Sequence, residues 1–315
     1  MIQAEHITRR YGAFEAVKDL SFTVRTGEVV GLLGQNGAGK TTALHVLSGY
    51  LAPSEGQVRI HGIDLAKNPR EAKRHLGYLP ETVPLYPEMT PAEYLKFCCE
   101  IKSVHPEDQD RHIQEILQLT DLIQVKDQLS GTLSKGYRQR LGLAQALCGD
   151  PEALLMDEPT AGFDPVQSHA FRKLVRKLAK GHAIILSSHL LSEVQEVCDR
   201  ILMIVSGKLV LDQRVAEDMR QHPRFRLVAA APSALILPPL RQLPGVRRVE
   251  VTGGRGSADQ TALIIETERD SAFQQGLFKL LSGLSAPILE LTPLGDSLEE
   301  LFLRVSSGQA MEAAS

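Results

Sequence analysis

The stretch Gly31-Leu32-Leu33-Gly34-Gln35-Asn36-Gly37-Ala38-Gly39-Lys40-Thr41-Thr42 restricts this chain more than any other. An apolar run from Val29 to Leu33 leads into it, and a helix-compatible segment from Thr41 to Leu47 leads out and stops at Ser48-Gly49. Strand, glycine-rich turn and helix, with Lys and Thr at the helix start, is the layout of a phosphate cradle. Gly34, Gly37 and Gly39 let the backbone curl so that its N–H groups converge on phosphates. The helix start adds unpaired donors and positive dipole potential. In such a cradle Lys40 reaches the β- and γ-phosphates and the Thr41 hydroxyl ligates Mg²⁺.

What surrounds the cradle is an α/β pattern. Ala153–Met156 runs into Asp157-Glu158-Pro159, Ala183–Leu186 into Ser187-Ser188-His189, and Ile201–Ile204 into Ser206-Gly207 and a return strand, Lys208 to Leu211. Continuous apolar runs separated by helices or turns predict a parallel sheet covered on both faces. Ligands of such sheets sit beyond the carboxyl ends of the strands, where Gly34–Thr42, Asp157, Glu158 and His189 all fall. Asp157 suits a Mg²⁺ partner, directly or through water. Glu158 can face an attacking water and orient or polarise it, or the acid pair can simply cap the following turn. His189 can donate to a γ-phosphate, or be an ordinary satisfied strand-end histidine.

The N-terminal segment reads as antiparallel strands. Ile2, Ala4 and His6 alternate with Gln3 and Glu5, and Leu20, Phe22 and Val24 with Ser21, Thr23 and Arg25. Tyr11, between these strands, can stack on a purine or cover the sheet edge. A further strand closes at Gly62, and Leu76–Leu79 is a short strand leading to Glu81. Residues 90 to 148 read as helical, starting with a capping box, Thr90-Pro91-Ala92-Glu93, and ending with a helix that opens at Ser134-Lys135-Gly136. That opening is a second anion site without an evident phosphate in the same protomer, which a site shared between two protomers would explain.

Other classes recede. The net charge of −3 leaves no bulk footprint for nucleic acid. The four cysteines lack both disulfide-framework and metal-ligand spacing, so reduced thiols are expected. No charged N-region followed by an apolar core opens the chain, so secretion is not expected. No apolar run is long enough to span a bilayer, the Leu227–Leu240 stretch being broken by Pro232, Pro238 and Pro239.

In this order the motifs resemble the ATP-binding-cassette (ABC) family of transporter nucleotide-binding subunits. Gly34–Thr42 looks like the Walker A loop, and Leu133-Ser134-Lys135-Gly136-Tyr137 like the signature usually written Leu-Ser-Gly-Gly-Gln. Leu154–Glu158 looks like Walker B with its catalytic glutamate, Ala161-Gly162-Phe163-Asp164 like the D-loop, and His189 like the switch histidine. The resemblance covers residues 1 to about 215 and implies a P-loop NTPase core with an antiparallel β subdomain and a helical subdomain. It implies ATP hydrolysis with ATP and Mg²⁺ as cofactors: Glu158 and His189 catalytic; Tyr11 against the adenine; Gly34, Gln35, Asn36, Gly37, Ala38, Gly39, Lys40, Thr41 and Thr42 around the phosphates; Ser134, Gly136 and Asp164 at the dimer's shared site; Thr41, Asp157 and Glu81 toward the metal. Glu81 stands where most members have glutamine and adds charge near the metal. Glu81, Lys135 and Tyr137 look like the export-type subgroup.

The resemblance further implies a head-to-tail homodimer or heterodimer in which Ser134 and Gly136 of one subunit close over ATP held by the other. It implies a permease on separate membrane chains, a peripheral place on the cytoplasmic face of the membrane, and no nucleic-acid partner. Leu85, Tyr86 and Met89 would receive the permease's coupling helix, or pack as an ordinary loop. A soluble ABC ATPase in a non-transport assembly and a nucleotide-sensing module are the rival readings. One cassette and no sustained heptads disfavour the first rival. The second requires an idle Glu158.

The domains expected are the ATP-binding domain over 1–220, a small accessory α+β domain over 224–305, and a disordered tail over 306–315. Beyond Pro223 the pattern reads strand, helix, strand, a Gly253-Gly254-Arg255-Gly256 turn, strand, helix, strand, compatible with a ferredoxin-like unit. Ser297-Leu298-Glu299-Glu300 is a capping box that would open a last helix.

Overall fold

The computed structural model describes residues 1–215, 224–252, 260–268 and 272–294. The segment around Pro223, the Gly253–Gly256 turn, the Ser297–Glu300 capping box and the tail after Ser306 lie outside the described residues. The chain divides into two compact units, Met1–Arg214 and a second that begins at Val215.

The first unit opens with a long hairpin, β1 (Ile2–Tyr11) and β2 (Phe14–Val24), followed by β3 (Val29–Leu33) and α1 (Lys40–Leu47). Next come β4 (Glu55–Ile60), β5 (Ile63–Asp64), α2 (Pro69–Arg74) and β6 (Leu76–Leu79). The helical section holds α3 (Pro91–Ile101), α4 (Pro106–Leu119) and α5 (Lys135–Leu147). The chain then alternates β7 (Ala153–Met156), α6 (Pro165–Leu178), β8 (Ala183–Ser188), α7 (Leu191–Val197) and β9 (Arg200–Val205), and returns along β10 (Lys208–Arg214).

Two sheets result. The antiparallel one has the order β2-β1-β4-β5, and the larger one the order β10-β9-β3-β8-β7-β6. In the larger sheet β9, β3, β8, β7 and β6 pair in parallel, and only β10 runs antiparallel. All residues of β3, β7 and β8 are buried. Strands covered on both faces read as unbroken Val/Ile/Leu runs, which is why they were visible in the sequence. The order puts β3, β8 and β7 side by side, so the phosphate loop, His189 and the Asp157-Glu158 pair leave one edge of the sheet together.

The N-terminal alternation differs from expectation at His6. Ile2 and Ala4 are buried, but His6 is exposed and Ile7 takes the inward place. His6 and Asp19 both have positive φ, +53° and +50°, and the β1–β2 register shifts between Ala4 and Ile7. This bulge turns His6 to solvent, where its Nδ1 lies 2.7 Å from Asp19 Oδ1. The helical section starts as its sequence says. The Thr90 hydroxyl accepts from the Glu93 N–H at 3.3 Å, and the Glu93 carboxylate accepts from the Thr90 N–H at 2.8 Å. The four cysteines are free thiols.

The second unit comprises β11 (Arg224–Ala229), α8 (Ser233–Arg241), β12 (Val246–Val251), β13 (Thr261–Thr267), α9 (Ala272–Gly283) and β14 (Ile288–Leu294). The sheet order is β12-β13-β11-β14, with every neighbouring pair antiparallel. Strands one and two of this unit flank the third, which is the split βαββαβ arrangement of a ferredoxin-like fold. Leu227, Leu263 and Ile265 of the sheet meet Ile236, Leu240, Phe273, Leu277 and Leu281 of the helices in a separate core.

Candidate functional site

Backbone hydrogen bonds clamp the phosphate loop to its neighbours. Ala38 O accepts from the Gly207 N–H at 2.9 Å, and Gly207 O accepts from the Lys18 N–H at 2.8 Å, so the turn between β9 and β10 ties the loop to β2. Gly39 caps α1 with φ +107°. A Cβ there would stand 2.4 Å from the Ala16 carbonyl oxygen, so both backbone conformation and space require glycine. Gly37 also has positive φ, +80°, but open space around it. Gly34 and Ala38 are buried beneath the loop, whereas Gln35, Asn36, Gly37 and Thr41 face outward.

Lys40 is folded back onto this loop. Its Nζ donates to Gly34 O at 2.7 Å and to Gln35 O at 3.2 Å, with 6% of the side chain exposed. The same ammonium lies 3.5 Å from Glu158 Oε1. On its other side Glu158 Oε2 is 3.0 Å from His189 Nδ1. Glu158 therefore stands between the lysine of the cradle and the histidine after β8. It does so in the left-handed region, φ +44°, a conformation that costs a residue with a Cβ about 1 kcal/mol or more and is found at sites the surroundings over-determine.

Ser187 builds that position. Its hydroxyl donates to Asp157 Oδ1 at 2.6 Å and accepts from the Glu158 N–H at 2.8 Å. Asp157, 1% exposed, is further held by its own N–H donating to Leu79 O at 2.8 Å. Burial, and then the Asp157 charge, push the neighbouring Tyr78 phenol well above its ordinary value, and its hydroxyl is buried without a hydrogen-bond partner.

A cleft of about 540 Å³ collects most of the expected residues: Tyr11, Gln35, Asn36, Gly37, Gly39, Lys40, Thr41, Thr42, Glu81, Glu158 and His189. Tyr11 is 46% exposed at its mouth, with the Arg9 guanidinium 4.9 Å from the ring centroid. Ala161, the first residue of the D-loop stretch, lines it too, as do Phe14 and Ala16, which were not singled out from the sequence. Phe14 had a signal, since a tight hairpin after Tyr11 pairs those two residues across β1 and β2. Ser187 had none beyond standing two residues before His189.

Ser134, Gly136 and Asp164 form a second group, outside the residues lining that cleft. Ser134 caps α5, its hydroxyl accepting from the Tyr137 N–H at 3.4 Å, and Asp164 caps α6, accepting from the Gln167 N–H at 2.8 Å. The two helix starts touch: a Cβ on Gly136 would lie 3.2 Å from Gln167 Oε1. The α5 start, with Lys135 as its first residue, offers donors and positive potential to an anion, while the α6 start is capped by the Asp164 carboxylate.

Of the oxygen donors expected for a metal, the Thr41 hydroxyl and the Glu81 carboxylate line the cleft, whereas Asp157 is buried and does not. Among the described residues no three His, Cys, Asp or Glu side chains gather closely enough to hold an ion unaided. An oxygen-only set of that kind fits Mg²⁺, which keeps waters and takes the rest of its shell from phosphates.

Residues 17–161 match the family model described as ABC transporter. Over 313 residues the chain is 32% identical to the bacitracin transport ATP-binding protein BcrA of Bacillus licheniformis, covering 98% of each. It is 35% identical over 212 residues to the linearmycin resistance ATP-binding protein LnrL of Bacillus subtilis, covering 67% of this chain and 68% of that one. A solved ATP binding subunit of an ABC transporter superposes with a TM-score of 0.64 at 28% identity, covering 70% of this chain and 92% of the other.

Proposed function

This chain belongs to the ATP-binding subunits of the ABC transporter family, and from that premise we propose that it hydrolyses ATP to power an export-type transporter through nucleotide-driven closure of a dimer. The observation that carries the proposal is Glu158, set between Lys40 and His189 beside the phosphate loop in a strained backbone conformation. Full-length similarity to a bacitracin transport subunit, and partial similarity to a linearmycin resistance subunit, support export of an antibiotic-like compound.

In this reading the amides of Gly34–Thr42 and the Lys40 ammonium take the phosphates. Lys40 exchanges its bonds to Gly34 O and Gln35 O for phosphate oxygens. Tyr11 packs its open face on the adenine. Thr41, Asp157 and Glu81 would hold Mg²⁺, which when bound would supply charge neutralisation on the phosphates. Glu158 accepts a hydrogen bond from the attacking water, orients it in line and polarises it. His189, released from Glu158, donates to the γ-phosphate. Ser134 and Gly136 of one copy close over the nucleotide of its partner, with Asp164 at the same contact. The permease is made of separate chains, and the subunit works on the cytoplasmic face of the membrane. Among the described residues no helix is long and apolar enough to cross a bilayer.

Affinity capture of the full chain from solubilised membranes tests this. The expected result is an integral membrane protein at stoichiometric yield, with ATPase activity in the eluate. Capture of soluble partners alone, or of RNA, favours the non-transport ATPase instead.

A further inference from the structure

Glu158 and His189 lie on different segments, one following β7 and the other following β8. Their 3.0 Å contact therefore depends on how those two segments are held against each other. One side chain outside the cleft touches both. Glu193, in the first turn of α7, receives through the single oxygen Oε2 the Thr160 hydroxyl at 2.9 Å and the Ser188 hydroxyl at 3.1 Å. Thr160 is two residues after Glu158, inside the turn closed by the Ala161 N–H donating to Glu158 O at 3.0 Å. Ser188 immediately precedes His189, and its hydroxyl also accepts from the Leu190 N–H at 3.0 Å, so it shapes the chain on both sides of the histidine.

We propose that Glu193 is a positioning residue: its one carboxylate oxygen ties the Thr160 and Ser188 hydroxyls together and so fixes the spacing of the two segments that carry Glu158 and His189. The inference rests on the reading of Glu158 and His189 given above. A carboxylate suits this work better than a neutral acceptor, because hydroxyl bonds to an ionised oxygen are shorter and stronger. Two donors on one oxygen fix an angle as well as a distance between the segments. Glu193 does not line the nucleotide cleft, so the effect of removing it falls on the chemical step and not on ATP binding.

The test is steady-state ATP hydrolysis by the full chain, with thermal melting alongside. E193A is expected to lower kcat about tenfold, from the loss of two charge-assisted hydrogen bonds, while KM for ATP stays within about twofold. E193Q keeps an oxygen acceptor of the same reach without the charge, so its loss should be clearly smaller than that of E193A. T160V should reproduce part of the loss, and T160V/E193A should be no slower than E193A, since both changes remove the same tie. A purely structural role would move KM and the melting temperature in step with kcat, and would not be rescued by glutamine. Unchanged kcat in E193A, or equal losses in E193A and E193Q, overturns the inference. E158Q runs in parallel. If E158Q collapses while E193A is unaffected, only the role of Glu193 fails. If E158Q turns over normally, the reading of Glu158 fails and this inference falls with it.

Discussion

Gly39→Ala should uncouple the cradle from its ligand. Alanine at φ +107° leaves the region that side chains tolerate, a cost of about 1–2 kcal/mol. Its Cβ would also stand 2.4 Å from the Ala16 carbonyl oxygen, a backbone atom that β2 holds in place, which adds about 1–3 kcal/mol. Without nucleotide the loop relieves the strain by giving up the Ala38–Gly207–Lys18 hydrogen bonds that tie it to β2, a local loss that the rest of the fold tolerates. To bind phosphate it must return, and the full strain of roughly 2–5 kcal/mol then weakens binding by about 30-fold to a few thousand-fold. Gly37→Ala is the control. It has the same sign of φ, +80°, but nothing within 4 Å, so only the dihedral cost remains and the loss is about 5- to 30-fold. The assay is equilibrium titration with a fluorescent ATP analogue, with melting curves to show both variants folded. G39A binding as tightly as the parent would refute the reasoning. So would equal losses in the two variants, because the Ala16 contact would then carry no weight.

Other expectations follow from single contacts. Tyr11→Ala should weaken ATP binding by about 5- to 150-fold, the range of one base–aromatic stack, while Tyr11→Phe stays near the parent; the same titration reads both. Glu93 sits below its ordinary carboxylate value because the Thr90 N–H and then the Thr90 hydroxyl donate to its ionised form. A lowered folded value means this contribution is complete above the ordinary value of 4.5 and is lost as pH falls through the folded one. Melting temperature should therefore fall over that acid window, and less steeply in Glu93→Gln than in the parent.

The parallel core was legible because its strands are buried on both faces and bounded by glycines and prolines, so β3, β7 and β8 stand out as unbroken apolar runs. The second unit was legible for a related reason: each strand and helix carries its own period, and the order of elements fits one sheet topology. What the sequence hid was registry. The bulge at His6 depends on positive φ at two non-glycine residues, which no apolar period announces. Short α2 was invisible too, since six residues with one buried alanine carry no amphipathic signal.

At the site, residues were visible but their partners were not. Lys40, Glu158 and His189 announce themselves by type and position at strand ends. Their mutual distances are not written in the chain, and the hydroxyl bridges of Ser187 and Thr160 behind them join positions about thirty residues apart, such as Asp157 and Ser187. Serine and threonine are common enough that nothing in the chain flags these few. Phe14 escaped notice because one exposed aromatic on a hairpin usually needs no explanation.

The direct test of the shared site is the mass of the Glu158→Gln protein with and without ATP and Mg²⁺, measured by light scattering, with nucleotide counted per chain. The account predicts a dimer only when nucleotide is present, one ATP retained per chain, and negligible phosphate release. Adding Ser134→Glu should return the protein to monomers that still bind ATP, since a carboxylate at that helix start repels the partner's phosphates. A protein that stays monomeric at every concentration while its parent cleaves ATP at full rate would contradict the account.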